Sequence, residues 1–410
     1  MKKFILFFSL IPWLAGCDQT ADIDPVGNGL FMKYYGNGTV RDVLQDIPEG
    51  RTLSVTSGGQ LIGVGTVAIK TLGDTILSQA YVFSLDKNGF LSDENLFGDS
   101  YISRAVDMIS SGGDHYLLIN TVDGGLDGTD GMQIIKLNDG LTSSWSQKYS
   151  FLNENKGRAI SLDGSGNLIV LGNYNPDGTG NEKMFTARIG ADGSLLWVDS
   201  LGITGKNNPV GKSISVYTEG NQRYAWCGDD MNKTIFKPKL IITDEEGNIW
   251  ENDGIEADSD LKESGSELLR TGNGTFVIIG YIERSETDRD MRLVRLTNNG
   301  GLIWTKDFGG TLNDFGASVC ESEDKGLMVL GTTQSFGTSL VVENTSSDFY
   351  LVKTGGSGSV IWEKTYGGAE DDVASKIINI DGGYAIIGTS EVAGTKLITV
   401  IRTDLEGNYL

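Results

Sequence analysis

Histidine, cysteine and proline are scarce in this chain of 410 residues, which holds one histidine, three cysteines and six prolines. So few soft ligands exclude a zinc cluster of the usual Cys/His kind. They also confine any Ser-His-Asp arrangement to His115, which sits in the β-rich run His-Tyr-Leu-Leu-Ile-Asn and reads most plainly as a core or rim residue. Little proline and no strict glycine triplet exclude a collagen-like chain. Positive charge is also in deficit: 33 Lys and Arg face 55 Asp and Glu, a formal net charge of −22. A nucleic-acid partner, which needs a basic patch, is therefore excluded. Long apolar runs are missing too. Beyond Phe4 to Leu14 no stretch approaches the length a membrane-crossing helix needs. A hydrophobic fraction of 39% argues against wholesale disorder.

The N-terminus carries an address. Lys2 and Lys3 precede the apolar stretch Phe4 to Leu14, and small residues then lead to Cys17. Leu14-Ala15-Gly16-Cys17 resembles the lipobox of bacterial lipoproteins. That resemblance implies a signal peptide over residues 1–16, cleavage before Cys17, and acylation of Cys17 (palmitate among the chains) as the anchor. Two or three acyl chains hold a protein stably on a membrane where one is marginal. Residues 17–29 are polar, acidic and Gly/Pro-containing and read as a tether. The acidic residues after Cys17 are similar to surface-export signals of Bacteroidetes lipoproteins. The expected location is the outer membrane, with the periplasmic or extracellular face left open.

What the chain has in excess is glycine, 57 residues, and the excess is periodic. A strand-ending glycine recurs at Gly65, Gly172, Gly228, Gly280, Gly331 and Gly388, with Asn120 taking the second place, at spacings of 51 to 57 residues. Trp145, Trp197, Trp250, Trp304 and Trp362 recur in phase with it. Each unit contains four short β runs separated by Asp/Asn-Gly turns, where glycine supplies the positive φ of a tight hairpin. Ser259 to Arg270 is the best helical candidate, and a weak one. Repeats of this length with four strands predict an all-β, seven-bladed β-propeller of four-stranded antiparallel blades over residues 30–410. The chain stops where the fourth strand of the last unit should begin, while Gly29 to Gly36 aligns with Val360 to Gly367 and puts Phe31 in the tryptophan slot. The N-terminal strand is therefore expected to complete the last blade and leave no open edge.

The repeat resembles the bacterial β-propeller repeat family of the SBBP type. Trp362, Tyr366-Gly367-Gly368, Asp371-Asp372, Asp381-Gly382-Gly383 and Gly388 carry the likeness, with Phe308-Gly309-Gly310, Asn313-Asp314 and Gly331 in the unit before. It fades towards the N-terminus, where the first unit has Asp93 in the tryptophan slot. The Gly-x-x-x-Trp element, as in Gly300 to Trp304, is also similar to tryptophan-docking propellers of the quinoprotein type. Both likenesses imply architecture and say nothing of chemistry.

Candidate sites are few. Asp371, Asp372, Asn313, Asp314, Glu154 and Asn155 head the first strand of their units and would gather on one face, where they could bind a cation or a basic partner. The plainer role is to cap the turn into that strand. The loops 123–131 and 163–167 are oxygen-rich and glycine-flexed but lack the closing bidentate Glu of an EF-hand, and turns are the simpler reading. Ser161-Leu162-Asp163-Gly164 matches a sialidase Asp-box only in part. Cys227 and Cys320 fall in non-adjacent units, too far apart to bridge, so two free, buried thiols are expected. No metal or cofactor is implied. A complete fold signal beside a missing catalytic one predicts a non-catalytic binding or scaffold subunit of an envelope complex for assembly, secretion or nutrient uptake. Its partners would be the membrane, through its lipid, and a protein or a glycan. The alternative is a carbohydrate-active enzyme or glycan-binding protein using loop-face carboxylates.

Overall fold

Short runs of β-branched and aromatic residues, cut by turns that glycine and aspartate favour, close into hairpins. In this computed structural model the described residues are 29–36, 49–72, 75–98, 102–122, 131–150, 155–175, 182–200, 209–219, 221–230, 238–244, 249–254, 261–337 and 346–409. They contain strands and no helix. Cys17, Glu154 and residues 123–130 lie outside them, so the lipid anchor and two of the candidate positions have no structural description.

The strands form consecutive antiparallel arrays of four, numbered here as sheets 1 to 7 in chain order: 49–97, 102–149, 156–200, 209–254, 262–308, 314–366 and 372–403. Sheets 1 and 2 touch through a single parallel bridge, Ser78 to Ile102. Sheet 7 supplies only three strands from its own segment, and Phe31–Tyr35 adds antiparallel to Thr395–Thr403, with Phe31 opposite Arg402 and Tyr35 opposite Ile398. Phe31 takes the register of four of the five phased tryptophans, for Trp145, Trp197, Trp304 and Trp362 stand opposite Lys136, Arg188, Arg295 and Lys353. In sheet 4 that place is held by Glu251, opposite Ile242, and Trp250 lies one residue before it at the register shift.

The weak helical candidate is a strand, Lys262–Arg270. Tertiary packing overrides its propensity, because Glu263, Gly265 and Leu268 face inward between sheets.

Middle strands such as Leu327–Thr333 and Asp348–Thr354 are buried along their whole length, whereas the fourth strand, as in Val360–Tyr366, is largely exposed. Burial on both faces means that each sheet packs against a neighbour on either side. The core is accordingly a series of inter-sheet clusters. In one, Leu330, Phe349 and Leu351 of sheet 6 meet Ile377, Ile386 and Ile401 of sheet 7. In another, Ile387, Ile398 and Val400 of sheet 7 meet Leu53, Leu61 and Phe83 of sheet 1. Fully burying one such side chain stabilises by about 1.5–3 kcal/mol.

Close approach between sheets explains the periodic glycine. A Cβ on Gly50 would stand 2.2 Å from the Gly388 carbonyl oxygen, and one on Gly331 would stand 2.1 Å from the Met291 sulfur. In sheet 2 the equivalent residue is Ile119, opposite Ala105, and not Asn120, because Ala105 fills the place that glycine holds at Gly50, Gly157, Gly211, Gly265 and Gly316. Asn120 is one residue further on, where its side chain binds the backbone of Gly157 in sheet 3.

Candidate functional site

The first strand of every sheet bears a β-bulge, and the residue after the bulge is Thr52, Asp107, Ala159, Ser213, Glu267, Ser318 or Lys376 in sheets 1 to 7. A bulge leaves its backbone out of step with the ladder, so the amide that follows is left for a side chain of the preceding sheet to satisfy. Several of these side chains do so. Asp107 Oδ2 accepts the Ile160 amide at 3.1 Å, Glu267 Oε2 the Val319 amide at 3.1 Å, and Ser318 Oγ the Ile377 amide at 3.1 Å. The fold alone is content with serine, threonine or alanine at this position. Three sheets place ionisable groups there instead.

Those three, Asp107, Glu267 and Lys376, line one cavity of about 540 Å³ together with the hydroxyls of Thr52, Ser54, Ser110, Ser161 and Ser213. The volume falls within the roughly 300–1,000 Å³ of small-molecule and cofactor sites. The cavity reaches the exposed turns between first and second strands at Ser57, Ser111 and Gly112, so it opens at that end of the first strands. Lys376 Nζ donates to Glu267 Oε1. Burial opposes the Lys376 charge, but Glu267 and then Asp107 hold the proton on it and its pKa is raised. Burial likewise pushes the Asp107 carboxyl up, against the pull of Lys376 and of the Ile160 and Met108 amides, while the Glu267 charge pushes the same way. The cavity thus holds two carboxyls in unlike environments, one ion-paired with lysine and one inclined to keep its proton.

The described residues among those predicted to head the first strands sit at the opposite end of those strands, where they hold turns. Asp314 is fully buried and takes the Gly310 amide at 2.9 Å and the Ser335 hydroxyl at 2.7 Å. Asp372 is buried and takes the Gly368 amide at 2.8 Å. Asp371 takes the Ser347 amide at 2.9 Å, Asn313 takes Arg289 Nη1 at 3.0 Å, and Asn155 gives its side-chain amide to the Tyr149 carbonyl at 3.1 Å. A Cβ on Gly367 would fall 1.9 Å from Asp348 Oδ1 and 2.5 Å from Asp372 Oδ2, so two carboxylates crowd one glycine-sized space. Burial, then Asp348 and Asp371, push the Asp372 pKa up to about 6. Asp163 caps its own turn through the Ser165 and Asn167 amides and pairs with Arg188. Cys227 and Cys320 are free and buried, and burial pushes the Cys320 thiol up to about 12.

Asp107, Glu267 and Lys376 form no motif along the chain and were not among the predicted residues. The signal lies in alignment of the copies: one column of small residues holds an acid in sheets 2 and 5 and a base in sheet 7.

No protein-family model matches the chain, and no curated protein matches it either. Solved structures do. A polysaccharide lyase, ulvan lyase, superposes with a TM-score of 0.59 at 9% identity over 92% of this chain and 96% of that one. Puromycin hydrolase gives 0.52 at 13% identity over 87% of this chain and 53% of that one, and the α-L-arabinanase of Penicillium chrysogenum gives 0.48 at 10% identity over 74% and 94%. At such identities the likeness establishes a fold of the β-propeller kind. The expectation of a non-catalytic scaffold, a chain without enzymatic activity, is not upheld by this comparison, in which the matched structures are mostly enzymes. The physical reason is plain in sheets 2, 5 and 7: a site assembled from single side chains on separate sheets leaves no contiguous motif, so a missing motif is no argument against catalysis.

Proposed function

We propose that the chain is a lipid-anchored outer-membrane enzyme: a seven-bladed β-propeller, its ring closed by Phe31–Tyr35, that cleaves a carbohydrate in the cavity between Asp107, Glu267 and Lys376. The lipobox ending in Cys17 supports the anchor. Closure is supported by Phe31–Tyr35 completing the sheet of 372–403 and by the core cluster shared between sheets 7 and 1. Tyr35 also donates to the Gly89 carbonyl at 2.7 Å, as Tyr149 does to Gly193 and Tyr366 to Gly407.

The observation that carries the catalytic reading is the unequal carboxyl pair in a cavity rich in hydroxyls. Cleavage of a glycosidic bond needs an acid that protonates the leaving oxygen and a carboxylate that serves water or the developing cation. Asp107, inclined to stay protonated, is the acid, and Glu267, ion-paired with Lys376, is the carboxylate. Water adds across the broken bond, and Asp107 regains its proton from it. The serine and threonine hydroxyls match a polyhydroxylated substrate, and the strong negative charge of the chain favours a neutral glycan over a uronate polymer.

The test is release of reducing ends from a panel of neutral and acidic polysaccharides. Asp107→Asn and Glu267→Gln should each lower the rate at least ~100-fold, the scale of losing a general acid or base. Unchanged rates in both variants would end the proposal.

A further inference from the structure

We infer that Ser110, His115 and Asp139 form a second active centre, a nucleophilic serine site for carboxylic esters at the open end of the cavity. The inference is independent of the glycan-cleaving reading, because it concerns other residues and another bond. Ser110 Oγ lies 2.6 Å from His115 Nδ1, and His115 Nε2 lies 2.9 Å from Asp139 Oδ1. A carboxylate only accepts, so Asp139 holds the proton on Nε2, leaving the Nδ1 lone pair to take the Ser110 hydroxyl proton. Asp139 is itself fixed by the Ser57 amide at 3.2 Å and by the Ser57 hydroxyl, and these bonds hold its carboxyl below the usual range. Serine, base and orienting acid are thus in line. The imidazole is turned end for end relative to the serine-protease arrangement, and either nitrogen can serve as the base when a carboxylate holds the other.

The repeat shows that packing does not ask for this histidine. Ser110 and His115 are cross-strand partners three residues beyond the bulge position. The same pair of slots holds Val55 and Leu61, Leu162 and Leu168, Val216 and Tyr224, Arg270 and Phe276, Glu321 and Leu327, and Asn379 and Tyr384 in the other sheets. Each partner of the second kind is a buried apolar or aromatic residue. Sheet 2 alone puts an imidazole there, fully buried, with a serine across from it and a carboxylate behind. A position that breaks the rule of its own repeat is where function is expected. Ser110 lines the cavity, unlike a hydroxyl sealed in a core. Gly112 and Gly113, at φ +60° and +86°, turn the chain just beyond it, and both line the same cavity mouth.

In the reaction the Ser110 oxygen attacks the ester carbonyl carbon while its proton passes to His115 Nδ1. The tetrahedral adduct expels the alcohol oxygen, which takes that proton and leaves an acyl group on Ser110. Water then attacks the acyl carbon, gives one proton to Nδ1, and releases the carboxylic acid as Ser110 recovers its hydrogen. One ester and one water give one acid and one alcohol. The cavity suits small acyl groups carried on a polyhydroxylated alcohol.

The experiment treats the full-length protein with a fluorophosphonate probe, maps the modified residue by mass spectrometry, and follows hydrolysis of p-nitrophenyl acetate. The expected result is a label on Ser110, lost in Ser110→Ala along with at least ~100-fold in kcat/KM. Asp139→Asn, on a partly exposed side chain, should keep KM and lower kcat, a split that loss of packing alone would not produce. Near-ultraviolet circular dichroism verifies that both variants are folded. An unlabelled Ser110, a label placed elsewhere, or hydrolysis unchanged in folded Ser110→Ala would overturn the inference.

Discussion

Thr389 accepts the Gly50 amide through its hydroxyl at 3.0 Å, joining residues 339 positions apart. The bond is one of a set. Thr66 takes the Ala105 amide, Asn120 that of Gly157, Asn173 that of Gly211, Asp229 that of Gly265 and Thr332 that of Ala374. In each case the residue following the strand-ending position reaches across to the first strand of the next sheet, just before its bulge. Sheet 7 therefore treats sheet 1 as sheet 6 treats sheet 7.

That equivalence is measurable. Thr389→Val leaves the Gly50 amide unpaired and should cost about 1–3 kcal/mol, as should Thr332→Val at an interior junction. Urea unfolding of the two variants gives the comparison, and a cost for Thr389→Val near zero would mean the last sheet docks only loosely on the first. Gly50→Ala should cost about 1–3 kcal/mol through overpacking, since the new Cβ meets the Gly388 carbonyl.

The N-terminal strand offers a separate check. Tyr35→Phe keeps the ring stacked on Phe83, with centroids 4.9 Å apart, and removes only the bond to the Gly89 carbonyl. The loss should be about 1 kcal/mol, matched by Tyr149→Phe at the equivalent place in sheet 2. Thermal unfolding with no shift for Tyr35→Phe alone would show that residues 31–35 do not carry the load of a fourth strand.

Much of this architecture was legible because its signals are local and recur. Asp86 and Asp404 begin turns in which their carboxylates take the amides of Asn88 and Asn408, and Asp-Gly chemistry announces such turns in the chain itself. Phe31 aligns with the tryptophans and takes the register that Trp145, Trp197, Trp304 and Trp362 share. Asn120 was misplaced by one residue, because the strand-ending slot in sheet 2 holds an isoleucine and gives no glycine to count. The sites were hidden for a different reason. Asp107, Glu267 and Lys376 are far apart in sequence, and only the bulges show that they share one column. His115 reads as core and is fully buried, yet nothing local in the sequence says that Ser110 and Asp139 close upon its two nitrogens.

Asp372 supplies a pH dependence. Its carboxyl has a usual value of 3.8 and is pushed up to about 6 in the folded chain. The folded state binds this proton more tightly than the unfolded state does. Its contribution is therefore fully present below pH 3.8 and is lost as pH rises to about 6. The amount is on the order of 3 kcal/mol. Asp372→Asn, which mimics the protonated acid, should flatten the stability profile over that interval and be the more stable protein above it. An identical slope in wild type and variant, followed by thermal unfolding across pH 4–7, would remove Asp372 as the source.

The ion pair in the cavity separates structural from catalytic need. Lys376→Met leaves Glu267 without its cation and takes from Asp107 the one charge that lowers its pKa, so Asp107 should hold its proton to still higher pH. Breaking a buried pair on one side costs about 3–5 kcal/mol. Lys376 and Glu267 keep 30% and 15% exposure, so screening by cavity water reduces the expected loss to about 1–3 kcal/mol. Replacing both, Lys376→Met with Glu267→Gln, removes the stranded charge, keeps an acceptor for the Val319 amide and should recover most of that loss, while the glycan-cleaving activity stays absent because its carboxylate is gone. Chemical denaturation beside the reducing-end assay reads both quantities. Recovery of stability together with recovery of activity would place the carboxylate elsewhere and leave Glu267 as a partner of Lys376 only.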